Sequence, residues 1–179
     1  MRVLLIGKAG AGKDTVAEYL VKRHGFRRYA FADKIKQIAM ELWPEEFRYR
    51  KPRWLLQQVG SKLREIDPLV WVHYVFRQIE QERPERVVIT DGRLEEEYSV
   101  CRSAGFAVVE VRCPDPLRLD RLYVRDGVAP TLREAAHETE AWSCPKPDFV
   151  LDNSRTLADL YGQVDRLVGI LKNRQAQAV

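Results

Sequence analysis

Between positions 7 and 15 the chain reads Gly-Lys-Ala-Gly-Ala-Gly-Lys-Asp-Thr. The chemistry open to such a stretch is anion binding. Without a Cβ, glycine lets successive backbone N–H groups turn inward and cradle phosphate oxygens. Gly7-x4-Gly12-Lys13 has the spacing of a P-loop, in which the lysine reaches the β- and γ-phosphates of a triphosphate. Gly7, Ala9, Gly10, Ala11, Gly12, Lys13, Asp14 and Thr15 are therefore the candidate nucleotide-binding set. Such loops ordinarily follow the lysine with a Ser or Thr that ligates Mg²⁺; here Asp14 stands in that place, then Thr15. A carboxylate is a good ligand for a hard cation. Asp14 is thus a candidate metal ligand, directly or through water, with Thr15 toward the α-phosphate. The plainer reason for Asp14 is the preference for acidic residues in the first turn of a helix.

A second candidate lies at Thr90-Asp91-Gly92-Arg93. In P-loop enzymes a carboxylate at a strand end holds a water on Mg²⁺, and an arginine two residues on can point at a transferred phosphoryl group. A strand-ending Asp-Gly turn explains the same residues without chemistry. Arginines recur downstream at Arg118, Arg121 and Arg125, ahead of Asp126-Gly127. The first two share a helix face, and Arg118 also has an ion-pair reading with Asp115 or Asp120.

These residues must be held by regular elements. Val3-Leu4-Leu5-Ile6 is a continuous apolar run stopped by Gly7, as in a strand buried on both faces. Apolar residues at helical spacing predict helices from Lys13 to about His24, Ala32 to Trp43, Arg53 to Arg64 and Leu69 to Glu82, with Pro68 in the first turn of the last. Further helices are predicted from Arg93 to about Ala104, over Pro114 to Val124, over Thr131 to Glu140 and over Thr156 to Lys172. Strands are predicted over 28–31, 86–90, 107–111 and 149–151, and the tail after Lys172 is expected to fray. The alternation means βαβ units: a three-layer αβα arrangement on a five-stranded parallel sheet. Ligands in such folds bind beyond the carboxyl ends of the strands.

The 179 residues suit one domain, 45% hydrophobic and 31% charged, which argues against disorder. A net charge of +4 suits phosphate ligands and is too small and scattered to imply nucleic acid. Cys101, Cys113 and Cys144 have neither disulfide nor zinc spacing and read as free thiols of a cytoplasmic protein. No apolar run approaches the length of a membrane span. His24 and His73 read as structural. A homodimer is compatible with all of this.

Gly-Lys-Asp-Thr at 12–15 resembles the phosphate loop of phage-type deoxynucleoside monophosphate kinases, within the P-loop nucleotide kinases. The resemblance continues through Phe31-Ala32-Asp33 with Lys36; Pro52-Arg53, Leu56-Gln57, Gly60, Arg64 and Trp71; Thr90-Asp91-Gly92-Arg93 with Glu97; His137-x-Thr139-Glu140; and Asp152-Asn153. Gly92, Leu94 and Ser154-Arg155 depart from the family's usual residues.

The resemblance implies helical insertions on the fold: an acceptor region over about 32–82 and a lid over about 115–140. It implies ATP and Mg²⁺ as cofactors and a small nucleotide as substrate. It makes Lys13, Asp91, Arg93, Arg121 and Arg125 the catalytic group, with Asp14 and Asp91 at the metal. It makes Asp33, Lys36, Arg53, Gln57, Arg64, Trp71 and Arg93 the acceptor contacts. Asn153 is read as packing on the adenine, or else as the cap of the terminal helix. Phosphorylation of a phosphomevalonate-like metabolite, and a nucleotide-binding switch without turnover, are the competing functions.

Overall fold

The computed structural model describes residues 1–49, 51–127 and 146–177. Five strands alternate with helices: β1 (Arg2–Ile6), α1 (Lys13–His24), β2 (Arg27–Tyr29), α2 (Phe31–Leu42), α3 (Arg53–Ile66), α4 (Val70–Glu82), β3 (Val87–Gly92), α5 (Glu95–Ser103), β4 (Ala107–Arg112), α6 (Asp115–Asp126), β5 (Phe149–Asp152) and α7 (Leu157–Gln177), with a short 3₁₀ turn at Pro44–Phe47. The strands form one parallel sheet in the order β2-β3-β1-β4-β5. The expected α/β architecture is the observed one. The helix expected over 131–140 lies outside the described residues.

β1 is central because its sequence allows nothing else. Successive side chains of a strand point to opposite faces. Val3 and Leu5 enter a core against α1 and α7, while Leu4 and Ile6 enter a second core against α2, α4 and α5. All four are 0–1% exposed. Burying a side chain of this size stabilises by roughly 1.5–3 kcal/mol, so a polar residue at any of the four would break the layer.

Helix ends place the site. α1 begins directly at the glycine-rich loop and ends at Gly25, whose φ of 67° turns the chain left-handed. Gly25 N–H then donates to Val21 O and Phe26 N–H to Leu20 O, satisfying carbonyls the helix leaves open. The start of α4 is set by Asp67, whose Oδ1 accepts Leu69 N–H at 2.9 Å, so Pro68 sits in the turn before the helix rather than in its first turn. The chain after Lys172 does not fray as expected. α7 continues to Gln177, with Leu171 packed on the core and the Arg174 guanidinium 5.1 Å from the Phe149 ring centroid. His24 and His73 pair with Asp165 and Asp67, in structural roles as expected.

Candidate active site

The carboxyl ends of β1, β2, β3 and β5 open into one cavity of about 590 Å³, closed around by α2, α3 and α6. Its walls differ in construction.

One wall is the loop between β1 and α1. Gly7 has a φ of 134°, and a Cβ there would lie 2.4 Å from Val111 O; Gly12 has a φ of 103°, and a Cβ there would lie 2.1 Å from Asn153 Nδ2. Both positions combine backbone that L side chains rarely adopt with space that none could occupy. Lys13 arches back over the loop, its Nζ donating to Gly7 O at 2.5 Å and Lys8 O at 3.1 Å. Asn153, 4% exposed, donates from Nδ2 to Ala11 O at 2.8 Å. Arg118 donates to Ala9 O at 3.3 Å and to Asp115 at 2.6 Å. The loop is thus pinned from two later segments. Ala9, Gly10, Gly12, Lys13, Asp14 and Thr15 line the cavity. Gly7 and Ala11 do not; they shape the loop, Gly7 against β4 and Ala11 inside the core.

The opposite wall is assembled from distant segments. Arg53, Gln57 and Arg64 of α3, Lys36 of α2, Arg93 after β3 and Arg121 and Arg125 of α6 all reach it, as the resemblance implied. Arg28 and Lys51, which sequence reasoning passed over, join them. Burial and the charges of Lys36, Arg53, Arg125 and Arg93 lower the Lys51 amine to about 8. Against nine basic side chains the lining holds three acidic ones, Asp14, Asp91 and Glu97. Phe31, Ile35 and Leu56 add an apolar face.

Several sequence-based roles are corrected. Trp71 is not an acceptor contact: it is 3% exposed in the core, and its Nε1 donates to Gly60 O at 3.1 Å, holding α4 to α3. Asp33 turns outside the cavity to Arg28 at 2.7 Å and Lys36 at 3.5 Å. Asp91 lines the cavity, but its oxygens accept Phe31 N–H at 2.9 Å and Ala32 N–H at 2.8 Å. It ties the start of α2 to the end of β3. Burial nevertheless raises its pKa, with the Ala32 and Phe31 amides and Arg93 pulling the other way. Asn153 does not cap α7. Thr156 Oγ1 does, accepting Asp159 N–H at 3.2 Å. Arg118 takes the structural reading, as the partner of Asp115. Cys101 and Cys113 are free thiols; Cys144 and the segment of His137 to Glu140 lie outside the described residues.

Glu97 is buried in the same wall. Its Oε2 accepts Arg93 N–H at 2.8 Å and Leu94 N–H at 3.1 Å. Burial is the main cause that raises its pKa to about 7; Asp91 adds to the rise, and Arg93 N–H and Arg64 oppose it.

A strand-loop-helix phosphate cradle facing a cationic wall is the arrangement of a P-loop kinase. Residues 3–142 match the family described as AAA domain, and the chain belongs to that family. A protein of Acanthamoeba polyphaga mimivirus, provisionally named a deoxynucleotide monophosphate kinase, is 26% identical over 190 residues, covering 89% of this chain and 92% of its own. The fold is shared with a gluconokinase from Sinorhizobium meliloti 1021 (TM-score 0.60, 16% identity, 99% of this chain and 97% of that one). It is shared also with the shikimate kinase of Aquifex aeolicus (TM-score 0.51, 19% identity, 98% and 99%). No helix among the described residues is long and apolar enough to cross a membrane.

Proposed function

We propose that the chain transfers the γ-phosphoryl group of ATP to a nucleoside monophosphate, and to a deoxynucleotide in particular, in the cytoplasm. The observation that carries this reading is the surplus of cations on the wall opposite the loop. A triphosphate on the loop is served by Lys13, the loop amides and Arg121. Lys36, Lys51, Arg53, Arg64 and Arg93 remain beyond it. An acceptor bearing only hydroxyl groups would leave that charge unmatched, whereas one already carrying a phosphate dianion matches it. The apolar face of Phe31, Ile35 and Leu56, with the Gln57 amide beside it, suits a base. The name of the mimivirus relative supports the same reading.

Phosphoryl transfer asks little covalent chemistry of a protein; it asks for alignment and charge neutralisation. Lys13 exchanges its loop carbonyl partners for phosphate oxygens. Arg121 and Arg125 flank the region between donor and acceptor, and Arg64 and Arg93 hold the acceptor phosphate. Mg²⁺ fits this donor set. It is commonly held by one or two carboxylates together with substrate phosphates, and Asp14 lines the cavity at the foot of the loop. No cluster of three or more His, Cys, Asp or Glu side chains able to hold a metal occurs among the described residues. When bound, the ion would neutralise charge on the phosphate oxygens.

Phosphomevalonate, another phosphorylated acceptor, is the second reading that the cation surplus admits. A coupled ADP-release assay over deoxy- and ribonucleoside monophosphates, phosphomevalonate, gluconate and shikimate tests the proposal. Release stimulated most by a deoxynucleoside monophosphate is the expected outcome. Release stimulated only by an acceptor without a phosphate group would overturn it.

A further inference from the structure

Asp126 closes α6 and is not itself a cavity residue, yet it binds two that are. Arg53, at the start of α3, donates from Nη2 to Asp126 Oδ2. Arg125 donates from Nε to Oδ1 at 2.9 Å and from Nη2 to Oδ2 at 3.0 Å. The Arg53 and Asp126 side chains are 18% and 13% exposed, so this pair is largely withdrawn from water. The contact joins residues 73 positions apart and bridges the cavity from α3 to α6.

One carboxylate here holds two guanidiniums that would otherwise repel. It leaves a surplus positive charge and, among the described residues, N–H groups still open to a ligand: Nε and Nη1 on Arg53, and Nη1 on Arg125. Its pKa falls to about 2, mainly through the hydrogen bond from Arg125 and then that from Arg53, so it stays charged at any working pH. We propose that Asp126 is a positioning residue for the acceptor phosphate, aiming Arg53 of α3 and Arg125 of α6 at one anion. This rests on the phosphorylated-acceptor reading above. The family match does not point to Asp126, which in the sequence only follows the run of arginines.

The test is isothermal titration of the wild type, D126N, D126A and D126E with each deoxynucleoside monophosphate, with inorganic phosphate and with ATP. The expected result is a tenfold or greater loss of monophosphate affinity in D126N and D126A. D126E should recover to within about threefold, and ATP affinity should stay within twofold throughout. Equal loss for ATP and monophosphate, or no loss for either, overturns the proposal. So does failure of both neutral variants to fold, which would make Asp126 a structural residue. If the wild type binds phosphate in an Asp126-dependent way but no monophosphate, the nucleotide reading fails and the positioning role stands. If it binds a monophosphate that D126N binds equally well, the reverse holds. Binding of neither overturns both.

Discussion

The two walls of the cavity are built by opposite means. The phosphate loop is one unbroken segment, and the positive groups it turns to the cavity are backbone amides and Lys13, which rests on loop carbonyls. The facing wall draws side chains from α2, α3, α6 and the end of β3, and its charge sits on long, mobile arginines and lysines. Amides fixed by backbone geometry need no reorganisation when phosphate arrives. Guanidiniums must be aimed, and each must be kept from its like-charged neighbours. The second wall therefore depends on carboxylates that touch no phosphate: Asp126 between two arginines, Glu97 beneath Arg93, and Asp91 under the start of α2. Donor binding should accordingly be robust, and acceptor binding sensitive to changes behind the surface.

The sharpest way to break this contrast is at Lys13. Lys13→Ala should lower turnover by about 10²–10³-fold, as loss of a transition-state donor does. The fold should persist, because Lys13 Nζ donates to Gly7 O and Lys8 O, carbonyls of its own loop, and the sheet and its two cores are built from other residues. Near-normal turnover in the variant, read by ADP release beside an unchanged melting curve, would remove the loop from the chemistry.

Glu97→Gln probes the buried carboxylate of the other wall. Its folded pKa, near 7, lies above the ordinary 4.5. The stability associated with the neutral carboxyl is therefore fully present below about pH 4.5 and is lost as pH rises to about 7. Glutamine stays neutral. Urea titrations from pH 4.5 to 8 should show the difference between the two proteins shifting in favour of the variant by up to about 3 kcal/mol; a difference independent of pH would be incompatible with this environment.

Arg64→Ala should raise the acceptor KM by about 10–100-fold, the worth of one charge-assisted hydrogen bond, and leave the KM for ATP nearly unchanged. The opposite split would place Arg64 on the donor side. Asn153→Ala should cost about 1–2 kcal/mol in thermal or urea unfolding by leaving Ala11 O unpartnered. A variant as stable as the wild type would mean that the loop does not need its pin.

The same contrast explains what could be read without coordinates. Backbone geometry over nine consecutive residues leaves a contiguous signature, so the loop was legible residue by residue. So was the layered fold, because strands buried on both faces must be apolar runs. The opposite wall was legible in part: Arg53, Arg64, Arg93, Arg121 and Arg125 all reach the cavity. Lys51 was not, since a lysine in a charged, aromatic loop has no periodicity to place it. The hold of Asp91 on the start of α2 was not legible, because a strand-ending aspartate looks the same whether or not it meets two amides. Trp71 was misassigned because an indole at a helix start does not reveal whether its N–H meets a base or, as here, the Gly60 carbonyl. Asp126 had one faint signal, its place after a run of arginines.

The Asn153 hydrogen bond also sets an order of events during synthesis. The loop it steadies is made well before Asn153, which lies 142 positions beyond Ala11 and follows β5. A nascent chain that has exposed the loop but not yet Asn153 lacks the side chain that holds the Ala11 carbonyl. Its phosphate loop should therefore acquire its final shape, and with it tight triphosphate binding, only once β5 has joined the edge of the sheet.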